Sequence, residues 1–589
     1  MPPAVEKPGP PPRRWVWYLL PAVLGLLPTL GAPGHMVGDG VDAYGTGWFF
    51  WWIRMCVTHL GNPGWTTLFF SPEGKDIFAH TGNNFVDAVF AVPFQLAFGL
   101  NWSAPFTLLL LAGNAWSFEQ LARELWEDPR DVFAATMAWM VNPYVIFEVT
   151  AGRPTQAMMW WFPLAILELH RICRGDASFR TATALGVATA LTGWTYWFSA
   201  YFLVFLMVPL ALWWGVGSWR TTVRGLLVAV GVCAVLVAPM ALGMREAWNQ
   251  GLVPGVTANG PEAANVSRDL HGVWLMETRG APLLLQPAWL LGALLGVWKG
   301  RRNGWAWLGI TLMLVAIGFG ARMGGARIVN PIWSVVSHLP FLSRLWFPYR
   351  ITMVAMLPMT VLVIHAWRGF GRSRVLGLAF LVVALGGEAF SGTFPFNHVD
   401  ATCPPILLDA AKEPGTFMFL PGGIQSDVLL WQTQFQRPTF GGMGESAPAF
   451  WPKGYAAHRH DPWIRALEDA TASPFRTKPG TPGDAEALNA LGVRWIVLRR
   501  DLITALWRNE RQHGGKPTRE IRDAEAIRRL SLLLGPPAGA DDRLVIWDLT
   551  GSWGNPNFSP CPERLLHPPP DNEVRPGFEL GMVRMGRSP

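Results

Sequence analysis

The 589-residue chain reads as a polytopic α-helical membrane protein with about eleven transmembrane helices and a C-terminal extracytoplasmic α/β domain. Three observations predict this. Charged residues make up only 15% of the chain, against about 25% in soluble proteins. Apolar runs of roughly 17–20 residues recur as far as Phe390, each about long enough to cross a bilayer. Beyond Ser391 the composition turns polar and rich in Pro and Gly, with short strand-like runs between helical ones. The 33 tryptophans and a mean hydropathy of +0.23 point the same way. The net charge is +7, but the arginines flank apolar runs and form no continuous basic stripe, so nucleic acid is not the expected partner.

Residues 1–14 read as a disordered cytoplasmic N-terminus, Pro-rich and closed by Arg13-Arg14. The first span, Trp15 to Gly31, is long and Trp-rich and lacks a clean small-x-small cleavage site, so it reads as a retained signal anchor. A large external loop follows over 32–102. It holds Gly38-Asp39-Gly40-Val41-Asp42, the aromatic run Trp48–Ile53, expected in the headgroup layer, and the polar patch Ser71–Asp76. It ends in Phe85–Phe98, read as an interfacial helix because Asp87, Pro93 and Gln95 interrupt it.

Spans are then expected near Ala104–Leu121, Val132–Val149, Gln156–Leu169, Thr181–Tyr196, Phe198–Val216, Leu226–Gly243, Pro282–Trp298, Trp305–Gly320, Pro348–Trp367 and Val375–Phe390. The loops after Leu169, Val216, Trp298 and Trp367 carry Lys/Arg clusters, which sets those ends inside and the C-terminal region outside. The transmembrane part is thus 15–392, and 393–589 is the extracytoplasmic domain. Strands are expected at Thr416–Leu420, Trp495–Leu498 and Leu544–Trp547, and helices at Asp484–Leu491 and Arg519–Leu534. Cys403 and Cys561 share that domain; one disulfide and two free thiols both fit.

Asp39 and Asp42 are the candidate catalytic groups. A carboxylate at a membrane surface can deprotonate an incoming hydroxyl, or hold a divalent cation against a phosphate, although nothing in the sequence requires a cation. Gly-Asp-Gly also suits a plain tight turn. Arginines on the outer side run against the positive-inside bias and match phosphate bidentately. Arg245, Arg268 and Arg279 have acids beside them or two residues away, whereas Arg153, Arg344 and Arg350 have none adjacent and are the stronger candidates for an anionic lipid headgroup. His80, Glu73 and Lys75 complete the candidate substrate-binding set. There is no P-loop, no dinucleotide fingerprint, no HExxH and no nucleophile elbow; Gly441–Ser446 reads as a loop.

Three segments carry a resemblance: Gly38–Asp42 with its Trp-rich sequel, Phe70-Ser71-Pro72-Glu73-Gly74 ahead of His80, and Leu345-Trp346-Phe347-Pro348-Tyr349-Arg350 at the start of a span. With the order of spans and loops, they make the chain similar to bacterial membrane proteins of the GT-C superfamily of polyprenyl-phosphate-sugar-dependent glycosyltransferases. The likeness covers roughly Trp15 to Phe390. It implies an integral protein of the bacterial inner membrane, a polyprenyl-phosphate-linked sugar as donor, and a glycan, lipid or protein as acceptor. The first-loop acid would be the base and external arginines would hold the lipid phosphate. Better-studied members often carry Asp-Glu or Glu-x-Asp after the first span; here Gly-Val separates Asp39 from Asp42, and the choice between them stays open. The rival readings are a transporter or flippase, and a non-catalytic assembly protein, for lipid-linked envelope glycans. A transporter is expected to place charges at mid-membrane and to repeat broken spans in two halves; here the charges gather at span ends.

Overall fold

The computed structural model describes residues 14–77, 85–249, 287–320, 322–323, 328–339, 348–369, 374–422, 427–443, 451–471, 488, 491–500, 502 and 519–550. The chain divides into two compact units: one of Met1–Arg54, Thr81–Asn249 and Gly255–Thr402, the other of Met55–His80, Gln250–Pro254 and Cys403–Pro589.

The first unit is helical. Its helices are α1 (Arg14–Leu30), α2 (Gly40–His59, whose last turn is counted with the second unit), α3 (Phe85–Phe98), α4 (Ser103–Leu125), α5 (Pro129–Met140), α6 (Pro143–Thr150), α7 (Pro154–Ala157), α8 (Trp161–Cys173), α9 (Phe179–Thr195), α10 (Trp197–Trp214), α11 (Trp219–Asn249), α12 (Pro287–Gly318), α13 (Pro331–Val336), α14 (Thr352–Gly369) and α15 (Arg374–Ser391). Among the described residues, five segments are long and apolar enough to cross a membrane: Phe85–Leu125, Pro129–Thr150, Trp197–Trp214, Val216–Ala247 and Thr352–Gly369. The protein is an integral membrane protein. On α11, Leu227, Val230, Val235 and Leu242 are exposed, which water would penalise and lipid would not.

Local sequence explains where the helices break. Asp128, Asn142 and Asn330 each precede a proline, and each side chain accepts from backbone N–H groups of the first turn. The cap satisfies orphan donors and proline suits the first helical position. The expected span Val132–Val149 is therefore two helices meeting at Asn142. The expected span Gln156–Leu169 is also split, between α7 and α8, and the buried Asn114 of α4 holds the break. Its Nδ2 donates to the Ala157 carbonyl (2.9 Å) and its Oδ1 accepts from Met159 N–H (2.8 Å). Irregular backbone at membrane depth needs such internal partners.

The two expected spans at Pro282–Trp298 and Trp305–Gly320 fall in α12, which is assigned without interruption. A Cβ on Gly304 would lie 2.7 Å from the Val297 carbonyl oxygen. In a straight helix, seven residues separate such atoms by about 10 Å. The chain therefore doubles back around Lys299–Asn303, as the basic cluster predicts. The first limb packs on α14 through Gly292, Gly296 and Gly300, spaced by four, where an added Cβ would meet Val363, the Leu362 backbone and His365.

Two sequence expectations change. The aromatic run Trp48–Ile53 is buried in protein, with Trp48 stacked on Trp52 (5.7 Å) and Phe50 against Trp102 (5.4 Å). Ring-on-ring packing, with Gln95 of α3 donating to the Phe50 carbonyl (3.0 Å), replaces the headgroup layer as its surroundings. The segment after α15 also returns to the first unit. His398–Asp400 pairs antiparallel with His35–Val37, and Phe396 N–H donates to the Gly25 carbonyl (2.9 Å).

The second unit holds a four-stranded sheet in the order Thr416–Leu420, Val493–Arg499, Leu544–Asp548, Gly539–Ala540, the first pair parallel and the others antiparallel. The expected strands and the helix Arg519–Leu534 are present; Asp484–Leu491 lies almost wholly outside the described residues. Phe417, Trp431, Phe435, Trp495, Val497 and Ile546 fill the core. Part of the first loop is built into this unit. Thr439 N–H donates to Leu68 O (2.9 Å), Phe70 N–H to Gly441 O (3.1 Å) and Ser71 N–H to Thr439 O (3.0 Å). Cys403 is buried with a free thiol, pushed up to about 12 by burial, with the nearby Arg543 charge opposing; Cys561 lies outside the described residues.

One backbone contact positions everything that follows. Gly38 (φ +98°) and Gly152 (φ +69°) are both left-handed, and a Cβ on Gly38 would overlap the Gly152 backbone. Gly99 (φ +55°) shares the left-handed strain but has open space around it. Gly99→Ala should therefore cost only the strain of about 1–2 kcal/mol. Gly38→Ala should cost about 1–3 kcal/mol more, for overpacking, read as a lower midpoint in thermal unfolding of the detergent-solubilised protein.

Candidate functional site

Asp39 and Asp42 sit at and just inside the start of α2. Glycines allow the chain to turn there, and the positive end of a helix favours carboxylates. The loop is tied down from two sides. Gly38 N–H donates to the Asn397 carbonyl (2.6 Å) and Asp39 N–H to the Thr150 carbonyl (2.9 Å). The Asn397 amide donates to Asp39 Oδ2 (2.8 Å). Thr150 Oγ1 donates to the Thr393 carbonyl (2.5 Å), which joins the turn after α6 to the strap after α15.

Asp42 faces Arg153, which lies between α6 and α7. Arg153 Nε donates to Asp42 Oδ2 (2.5 Å), and Nη1 donates to Glu148 Oε2 (3.1 Å). The guanidinium also lies over the Phe147 ring, 5.4 Å from its centroid. The two carboxylates it joins differ in access. Glu148 is 0% exposed, the arginine 18% and Asp42 50%. Arg350 stands in the one-turn 3₁₀ helix Pro348–Ile351 ahead of α14. It is buried, and its Nη1 donates to the Tyr196 hydroxyl (2.7 Å) at the break between α9 and α10.

These charges act on one another. Dehydration within the surrounding protein mass pushes the Asp42 carboxyl up; the charges of Arg153 and Arg350 and the Arg153 hydrogen bond outweigh it, and the net shift is downward. The Asp42 side chain is half exposed, so one side of the ion pair is open. An arginine reached from that side can meet an anion, with a carboxylate beside it. No cluster of three or more His, Cys, Asp or Glu suited to a metal occurs among the described residues, and the Arg153 guanidinium fills the place between Asp42 and Glu148.

Glu73 and Lys75 belong to the second unit. Glu73 Oε1 is 2.6 Å from His458 Nε2. Lys75 is buried, donates to the Met443 carbonyl (2.9 Å) and lies over the Phe70 ring; burial holds its ammonium well below its ordinary value. Both read as parts of that unit's own packing. His80 and Arg344 lie outside the described residues, as do Arg268 and Arg279; Arg245, on α11, is exposed. Sequence reasoning missed Glu148, Thr150, Tyr196 and Asn397. Glu148 had a signal, an acid five residues before an outward arginine; the others had none, since they meet their partners across 154 to 358 positions.

No protein-family model matches the chain, and no curated protein matches it in sequence. Solved structures do match. A mutant of the arabinofuranosyltransferase AftD from mycobacteria aligns with a TM-score of 0.56 at 15% identity over 92% of this chain. This chain spans only 42% of the length of that protein. The Archaeoglobus fulgidus oligosaccharyltransferase, in complex with zinc and sulfate, aligns at 0.50 and 11% identity over 83% of this chain and 68% of its own. The same enzyme tethered to an acceptor peptide with an NVT sequon aligns at 0.50 and 12% identity over 83% and 69%. The fold is of the GT-C kind, shared at a distance.

The Asp42 carboxyl titrates below its ordinary value of about 3.8. A group depressed on folding contributes stability that is in place above its unfolded value and is lost as pH falls through the folded one. Asp42→Asn should therefore remove part of the loss of thermal stability on acidification from about pH 6 to about pH 3, followed as unfolding midpoints against wild type.

Proposed function

We propose that the protein is a membrane glycosyltransferase that moves a sugar from a polyprenyl-phosphate donor to an acceptor hydroxyl on the extracytoplasmic face. In this reading about eleven spans carry the first unit, the N-terminus is cytoplasmic, and the second unit lies outside and contacts the acceptor glycan, lipid or protein. The observation that carries the reading is the meeting of Asp42 with Arg153 and with the field of Arg350, residues from three distant stretches. The solved neighbours support it, since they are a sugar transferase and an oligosaccharyltransferase of the same fold.

In the proposed step the donor phosphate lies against Arg153 and Arg350, and its lipid runs between spans. Asp42 takes the proton of the acceptor hydroxyl. The acceptor oxygen forms a bond to the anomeric carbon from the face opposite the phosphate, the bond from that carbon to the phosphate oxygen breaks, and polyprenyl phosphate leaves with the electron pair. Phosphate is a good leaving group, so positioning and one base suffice. Asp39 is committed to Asn397 through its side chain and to Thr150 through its N–H, which suits it to shaping the loop.

The test is transfer from a panel of radiolabelled polyprenyl-phosphate pentoses and hexoses by the purified protein in liposomes, with cell-envelope glycans as acceptors. Asp42→Asn should lower the rate by about 10²–10⁴-fold, the size of a lost general base, and Asp39→Asn by clearly less. An Asp42→Asn protein as active as wild type would overturn the assignment.

A further inference from the structure

The Asp42–Arg153 ion pair sits awkwardly in a catalytic site. A carboxylate whose charge is already satisfied by an arginine at 2.5 Å is a weak proton acceptor, and an arginine so engaged is a weak phosphate ligand. The geometry resolves this, because the two carboxylate contacts of Arg153 described above are unequal. Its Nη1 bond goes to Glu148, wholly buried, where removing the cation would strand an uncompensated charge in protein. Its Nε bond goes to Asp42, half open to solvent. An anion arriving from the open side meets the Nε edge and therefore competes with Asp42, while Glu148 keeps hold of the far edge.

We propose that Arg153 is exchanged between Asp42 and the donor phosphate, so that Asp42 becomes a competent base only when the donor is bound. Glu148 is then a positioning residue that anchors the guanidinium through the exchange. Arg350, held by Tyr196, stays in place as the second cation and keeps the phosphate charge balanced. Without the donor, Asp42 stays paired and cannot activate water or acceptor, which protects the lipid-linked sugar from wasteful hydrolysis. The charged groups known to act on Asp42 are Arg153 and Arg350. Glu148 reaches it through Arg153, and Asp39, three residues earlier, is hydrogen-bonded to Asn397.

The inference rests on the sugar-transfer reading, but its test needs neither the sugar nor the acceptor. Binding of farnesyl phosphate, with farnesol as the uncharged control, is measured on the full-length protein in detergent at neutral pH. If Asp42 competes for Arg153, neutralising it strengthens binding. Asp42→Asn should bind farnesyl phosphate about fivefold more tightly than wild type, as expected for losing an ion pair with one partner open to water. Farnesol binding should not change. In an Arg153→Gln background the Asp42→Asn gain should vanish, because the shared cation is gone. Asp42→Ser gives the same comparison should the Asn variant fail to fold. Unchanged or weaker farnesyl phosphate binding by Asp42→Asn, or a gain that survives Arg153→Gln, overturns the exchange and leaves the transfer reading standing. No binding of farnesyl phosphate to wild type overturns the lipid-phosphate reading itself.

Discussion

The site depends on two glycine backbones in contact. Gly38 and Gly152 approach so closely that neither has room for a side chain, and both adopt conformations that L side chains rarely take. A Cβ on Gly152 would also overlap Ala43 in the first turn of α2. This contact carries the start of α2 to the turn after α6 and leaves Asp42 and Arg153 on the same side of it. The ion pair is a consequence of that packing. The Asn397 and Thr150 hydrogen bonds then fix the remaining freedom of the loop.

Several residues tied to these charges share a second property: they lie where a helix starts, stops or breaks. Arg153 is between α6 and α7, Tyr196 between α9 and α10, Arg350 in the 3₁₀ turn before α14, and Asn397 follows α15. Such positions leave backbone groups without helical partners, and lipid cannot supply any. They persist here because side chains supply partners. Asn142 caps α6, and Asn114 holds the break after α7.

Unequal burial gives the charges distinct roles. Glu148 and Arg350 are buried, Arg153 is mostly covered, and Asp42 is half exposed. A buried charge costs too much to leave without its counter-ion, whereas an open one can trade partners. Asp42 is thus the group free to change partners in the proposed step, while Glu148 and Tyr196 hold Arg153 and Arg350.

Much was legible in the sequence because it depends on local periodicity and on solvent. Apolar length located the helices, the Lys299–Arg302 cluster located the reversal inside α12, and β-branched and aromatic runs located the strands Thr416–Leu420 and Leu544–Asp548. Asp42 stood out as an acid in the loop after the first span, and Arg153 and Arg350 as arginines on the side that the positive-inside bias disfavours. The pairing of Arg153 with Asp42 and not Asp39, the anchoring of Arg153 by Glu148, and the strap through Asn397 were not legible. Nor was the burial of Trp48–Ile53, whose composition suits a lipid interface and a protein core alike. Hydropathy records how each segment responds to its solvent, so one strand of sequence suffices to read it. Which acid meets which arginine is decided by backbone packing between segments more than a hundred positions apart, and that appears only once the chain has folded.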